Sequence, residues 1–187
     1  NYLQNGQTDI ALEEINQALA TDANYADAYH LRAITLMNLK DFAQAEDNFR
    51  QAQRINPGDP DMLHNFGWLR CQLQQYEAAQ ALFAQALAVP SYTSRSKTLM
   101  SQGVCWQRAG QLPQAQESLQ QAYEIDAGNP AIGYNLASVL FQRADAKRAQ
   151  FYIRRLNNGE FSNAESLWLG LKVERALGDT VAQGQLA

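Results

Sequence analysis

The sequence predicts an all-α fold, a solenoid of stacked helical hairpins, and two series of small residues carry that prediction. Six alanines, Ala11, Ala45, Ala79, Ala115, Ala149 and Ala182, recur at spacings of 34, 34, 36, 34 and 33 residues. A fixed period of this length is the mark of a repeat architecture. A second series, Ala33, Gly67, Gly103, Ala137 and Gly170, stands 12 residues before each of the last five. One small residue on each of two helices lets the pair cross closely, because a larger side chain would hold the backbones apart.

The neighbouring positions fix the helical phase. Four residues beyond the alanines stand Ile15, Phe49, Phe83, Leu119 and Ile153, and seven beyond stand Ala18, Ala52, Ala86, Ala122 and Leu156. Steps of four and three residues place each trio on one helical face. Turns within the hairpins are expected at Leu39-Lys40-Asp41, Gly110-Gln111-Leu112-Pro113 and Leu177-Gly178-Asp179. Turns between them are expected at Asn56-Pro57-Gly58-Asp59-Pro60 and Ala127-Gly128-Asn129-Pro130. Pro60 and Pro130 suit the first turn of a helix, where no backbone donor is required.

The run Tyr29, Ala33, Leu36, Ala45, Phe49, Ala52, Pro57 resembles the tetratricopeptide repeat, a 34-residue unit of two antiparallel helices. The resemblance covers the whole chain and implies a right-handed superhelical solenoid in one domain, 1–187. Its divisions are a partial repeat 1–25, four repeats at 26–59, 60–95, 96–129 and 130–162, and a partial repeat 163–187. In the first, only Asn1-Tyr2-Leu3 is left of the leading helix. Both ends are expected to lie inside a longer solenoid.

Composition agrees. Hydrophobic residues make up 46% of the chain, enough for a continuous core shared between neighbouring repeats. A net charge of −4 argues against a nucleic-acid binder, which carries a basic stripe. No run approaches the roughly 18 apolar residues that span a bilayer.

Cys71 and Cys105 are 34 residues apart and fall late in the first helices of successive repeats, at repeat positions 12 and 10. Two readings stand side by side: small core residues, or a disulfide. A bond closing that loop would contribute about 3.8 kcal/mol and would need an oxidising compartment. The disulfide is the expectation adopted.

The segment His64-Asn65-Phe66-Gly67-Trp68-Leu69-Arg70-Cys71 resembles the Asn-aromatic-Gly-x-x-x-x-Cys word of the PilF/PilW family of type IV pilus biogenesis and stability lipoproteins. Three further segments agree with that family: the lengthened connection Val89-Pro90-Ser91-Tyr92-Thr93, Gly103-Val104-Cys105, and Leu167-Trp168-Leu169-Gly170-Leu171-Lys172. Arg70 departs from the pattern, where an apolar residue is expected. The resemblance implies a non-enzymatic scaffold at the periplasmic face of the outer membrane of a Gram-negative bacterium. Its partner would be the outer-membrane pilus secretin or another pilus assembly protein, and its task secretin localisation and multimer assembly. Membrane contact would run only through a lipid on an N-terminal cysteine that this sequence does not include.

In a tetratricopeptide repeat, positions two, five, nine and twelve of the first helix line the concave surface. Here these are Asp27, His30, Ile34 and Met37; Asp61, His64, Trp68 and Cys71; Lys97, Met100, Val104 and Gln107; and Ala131, Tyr134, Ser138 and Phe141. The candidate protein-binding groove is therefore His30, Ile34, Met37, His64, Trp68, Met100, Val104, Tyr134 and Phe141. Adaptable and aromatic side chains of this kind favour an amphipathic helix or an extended peptide. Some of them could equally pack against the adjacent repeat.

His30 and His64 share a phase, with Asp27 and Asp61 one turn earlier. Two histidines fall short of the four ligands of a closed zinc site, so solvated groove residues are expected, with no metal and no cofactor. No phosphate loop or hydrolase motif is present, so neither catalysis nor a small-molecule substrate is expected. The competing class is a generic repeat adaptor or co-chaperone that clamps a peptide carboxylate with fixed cationic donors. Asn65 and Lys97 occupy two clamp positions, but His30, Ile34 and Ser101 occupy others, leaving the clamp incomplete.

Overall fold

The computed structural model describes residues 2–178, with side chains from residue 7 onward. Ten α-helices follow one another in the described residues: α1 (Tyr2–Thr21), α2 (Ala26–Asn38), α3 (Phe42–Ile55), α4 (Pro60–Gln72), α5 (Tyr76–Ala88), α6 (Arg95–Arg108), α7 (Leu112–Ile125), α8 (Pro130–Gln142), α9 (Ala146–Asn157) and α10 (Ala164–Leu177). The helix bounds agree with most of the turns read from the sequence, with Pro60 and Pro130 in the first turns of α4 and α8, but Leu112 and Pro113, expected in a turn, already open α7.

The start of the chain differs from expectation. No turn separates Leu3 from Ala11, and Tyr2–Thr21 runs as one helix of 20 residues. Gly6 is the strongest helix-weakening residue in that stretch, and a single interior glycine costs about 1 kcal/mol, too little to end a helix. At the other end, α10 is the leading helix of the last partial repeat, whereas Asp179 and Ala182 lie outside the described residues.

The chain divides into two compact units, Asn1–Thr93 and Ser94–Ala187, each with a core of its own. In the first, α1 to α5 pack in sequence, and α2 lies beside α4. In the second, α6 to α10 pack in sequence, α6 lies beside α8, and α8 beside α10. Both are stacks of tetratricopeptide hairpins.

Each hairpin closes where the small residues meet. Ala33, Ala45, Ala79, Ala115, Ala137 and Ala149 are fully buried. A Cβ on Gly67 would lie 2.9 Å from Phe83 Cε1 and 3.3 Å from the Ala79 carbonyl oxygen. One on Gly103 would lie 2.6 Å from Leu119 Cγ and 3.1 Å from the Ala115 oxygen. Phe83 and Leu119 are the residues four beyond the period-defining alanines, so the sequence register and the helix crossing are the same fact. Phe49 then stacks on Phe66, with ring centroids 5.2 Å apart, and joins the α2–α3 hairpin to the α4–α5 hairpin.

The hairpin turns share one backbone device. Lys40, Gln74, Gly110 and Ala144 adopt left-handed φ values between 60° and 75°. In each turn the next amide reaches back to the carbonyl five residues earlier: Asp41 to Leu36, Gln75 to Arg70, Gln111 to Trp106 and Asp145 to Leu140, all at 2.9 Å. This is the Schellman closure, and it satisfies carbonyls that the helix end leaves open. Caps fix the other ends. Asp41 and Asp145 accept from the amides of Gln44 and Arg148, and Asn163 forms a reciprocal capping box with Ser166. The Arg148 guanidinium on Asp145 holds that carboxyl below its ordinary value.

The lengthened connection serves the first core. Tyr92 is buried and belongs to the cluster that includes Phe49, Leu63, Phe66 and Leu82. In the second unit the core holds a charge: Glu174, 1% exposed, accepts from Arg154 Nη2 at 2.9 Å and Gln150 Nε2 at 2.6 Å, and also pairs with Arg154 Nε. Arg154 remains half exposed, so the pair sits at the edge of the packed interior.

Two substitutions test this packing. Gly103→Ala should lower unfolding stability by about 1–3 kcal/mol through overpacking against Leu119 and the Ala115 carbonyl, read by urea denaturation. Glu174→Ala should cost about 2–3 kcal/mol, since hydrogen bonds to a charged group are removed, and Glu174→Gln should recover part of that loss.

Candidate protein-binding surfaces

In the first unit, His30, Ile34 and Met37 share one face of α2, and His64 and Trp68 share one face of α4. Ile34 and Met37 pack along the edge of the first core. His30 is held from two sides: its Nε2 lies 3.0 Å from Asn65 Nδ2, and its Nδ1 lies 3.7 Å from Asp59 Oδ2. An amide donating to Nε2 leaves the proton on Nδ1, facing the carboxylate, which is the neutral imidazole. Burial lowers the His30 pKa from its ordinary value and outweighs the opposing pull of Asp59, Asp61 and Asp27.

His64 differs from the solvated residue expected. It is 3% exposed and lies against Phe83, with ring centroids 6.0 Å apart, because α4 packs almost its whole circumference while α2 leaves one side open. The two histidines therefore form no matched pair. Among the described residues no group of three or more His, Cys, Asp and Glu could hold a metal ion. Beside His30 an open depression of about 610 Å³ is bordered by Asp27, Asp59, Asp61, Leu31 and Pro60.

In the second unit, Met100 and Val104 on α6 stand beside Tyr134 and Phe141 on α8. Met100, Tyr134 and Phe141 pack partly against the second core, and Gln107 Nε2 reaches Ser138 Oγ at 3.3 Å. Eight of the nine groove candidates are half-buried, so each both supports its unit and shows surface. Lys97 is exposed and Ser101 buried. The amide of Asn65 is engaged by His30, so it is not a free donor for a peptide carboxylate.

Cys71 and Cys105 are both disulfide-bonded and buried. Arg70, the departure from the family word, is accommodated by charge: its guanidinium lies over the Phe66 ring at 4.8 Å and 3.1 Å from Glu46 Oε1. Trp168 is exposed on α10, with Lys172 Nζ 5.3 Å from its ring centroid. No helix among the described residues is long and apolar enough to cross a membrane.

The units differ in charge. Residues 1–93 hold eleven Asp and Glu against five Lys and Arg, a net −6, whereas residues 94–187 hold eight against ten, a net +2. Sequence reasoning on the whole chain missed this division. The signal was present in α9, whose Lys147, Arg148, Arg154 and Arg155 are accompanied by no acid.

Stacked two-helix units closed at small residues define a repeat scaffold, and the chain belongs to the tetratricopeptide-repeat family. A family model described as a tetratricopeptide repeat matches residues 36–102 and 107–168, and a second of the same description matches 1–60. Among its relatives is the type IV pilus assembly protein PilF of Pseudomonas aeruginosa, 24% identical over 178 residues that span 95% of this chain and 71% of PilF. The crystal structure of PilW, a widely conserved type IV pilus biogenesis factor, superposes with a TM-score of 0.90 at 27% identity, covering 99% of this chain and 85% of PilW. The structure of Pseudomonas aeruginosa PilF gives a TM-score of 0.88 at 23% identity, over 99% of this chain and 83% of PilF.

The neutral His30 makes the first unit acid-sensitive. Unfolded histidine binds its proton near pH 6.5, and folded His30 binds it only at lower pH. Stability from this residue is thus complete above pH 6.5 and falls as the pH drops below that value. The urea midpoint should decrease between pH 7.5 and 5.5, and His30→Gln should flatten that slope.

Proposed function

We propose that this protein is a non-enzymatic interaction scaffold in type IV pilus biogenesis. It binds a helix or extended segment of a pilus assembly protein, with the outer-membrane secretin as the partner whose localisation and multimer assembly it promotes. The observation that carries this reading is the likeness to PilW, which extends over 99% of the chain. A repeat-wide match of that kind supports a shared working surface as well as a shared hairpin.

The surfaces suit the role. Trp68 on α4 and Tyr134 with Phe141 on α8 supply the large amphipathic side chains that act as anchors at protein interfaces. The acidic depression beside His30 adds attraction for a cationic residue of the partner. The disulfide-bonded cysteines support an oxidising compartment, and the periplasmic face of the outer membrane is the location proposed. The clamp reading of a cytosolic co-chaperone is weaker, since Asn65 is engaged by His30 and Ser101 is buried.

The test combines Trp68→Ala with Tyr134→Ala in the full-length protein. Anchor losses of about 2 kcal/mol each would weaken partner capture well over tenfold. Secretin multimers and surface pili should decline while circular dichroism shows the helical fold retained. Normal multimers and piliation from a folded double variant would contradict the reading.

A further inference from the structure

The second unit carries a pocket that the groove residues do not touch. It lies where α7, the start of α8 and the end of α9 meet, has a volume of about 120 Å³, and is lined by Tyr123, Pro130, Tyr152, Leu156, Phe161 and Arg155. Glycines at 128, 133 and 159 also border it and leave its floor open; the nearest heavy atom to a Cβ on Gly133 would be Tyr123 Cε2, at 3.9 Å. The volume is of the order that takes one six-membered ring, since a dry cavity of ~150 Å³ holds benzene.

Its walls are aromatic, and one cation, Arg155, lines it. Tyr123 meets Tyr152 edge-on at 4.9 Å, and Phe151 meets Tyr152 edge-on at 5.1 Å. Phe151 and Phe161 are 60% and 62% exposed, a high value for residues that an isolated core would bury. The Arg155 guanidinium lies 5.8 Å from the Tyr123 ring centroid and forms no ion pair among the described residues. Arg154, its neighbour, is committed to Glu174.

The two tyrosine hydroxyls differ in their partners. The Tyr123 hydroxyl is buried and has no hydrogen-bond partner, whereas the Tyr152 hydroxyl donates to Gln120 Oε1 at 3.2 Å.

We propose that this pocket is a second docking site, which receives an aromatic side chain of a partner segment flanked by carboxylates. The ring enters between Tyr123, Tyr152 and Phe161, where edge-to-face contacts are available. A flanking Asp or Glu pairs with Arg155. Charge complementarity selects the occupant: Arg148 and Arg154 of α9 are paired with Asp145 and Glu174, whereas Arg155, which lines the pocket, has no ion pair among the described residues. The site goes beyond the function proposed above, because it uses another surface and another ligand chemistry.

The experiment uses the purified 1–187 chain against an immobilised array of hexapeptides with a central Phe, Tyr, Trp, Leu or Ala and flanks of Glu, Gln or Lys. Peptides with an aromatic centre and Glu flanks should bind best. Binding should fall at least tenfold in Arg155→Glu and in Phe161→Ala, both exposed positions, with melting unchanged. Three results would overturn the proposal: no preference for Glu over Lys flanks, binding unaffected by Arg155→Glu and Phe161→Ala, or Arg155-dependent binding to phosphatidylglycerol vesicles with no peptide binding. The last would assign the surface to lipid. Failure here would leave the Trp68 surface and the Tyr134 surface untouched, so the two readings are separable.

Discussion

The structure depends on the close crossing of two helices at a pair of small residues. At Gly103 the neighbouring helix approaches so nearly that even a methyl group would fall 2.6 Å from Leu119 Cγ. That approach sets what else can be built. With the backbones this near, the residues four beyond the alanines, Phe49, Phe83, Leu119 and Ile153, fall at the centre of each hairpin and become fully buried. The first helix of each hairpin is then free to pack sideways on its counterpart in the next, as α2 does on α4 and α8 on α10. The surface that such helices leave uncovered is what a scaffold has to offer.

The function follows from what the packing leaves over. Most polar side chains near the candidate anchors are already occupied: Asn65 with His30, Gln107 with Ser138, Arg70 with Glu46. None of these arrangements resembles a nucleophile with its base. What remains available is shape, aromatic surface and charge, with a net −6 in the first unit and +2 in the second. Those are the means of a protein that holds another protein, and the likeness to PilW and PilF gives the pilus as the setting in which to look for it.

Much of this was legible because the repeat imposes one constraint many times. Ala45, Ala79, Ala115 and Ala149 occupy equivalent buried positions, so the period alone gave the helix pairing. The turns were less legible. Left-handed geometry favours glycine, yet Lys40, Gln74 and Ala144 adopt it, held by the closure that surrounds them rather than by their own preference. Tyr92 reads as part of an inserted loop but fills the first core, since burial follows from where a loop passes and not from its composition. His64 and His30 share a repeat position and differ in exposure because more of the surface of α4 than of α2 is buried. The Arg154–Glu174 pair joins residues of two helices whose polar positions carry no periodic signal.

The central claim is that hairpin closure at the small residues sets the stability of the helices that carry the surface. Hydrogen–deuterium exchange of Gly67→Ala against the unaltered protein tests it most directly. A Cβ there would meet Phe83 at 2.9 Å and the Ala79 carbonyl oxygen at 3.3 Å. The account predicts that amide protection falls most in α4 and α5, the hairpin forced apart, and least in α9 and α10. Protection in α4 and α5 equal to that of the unaltered protein would contradict it.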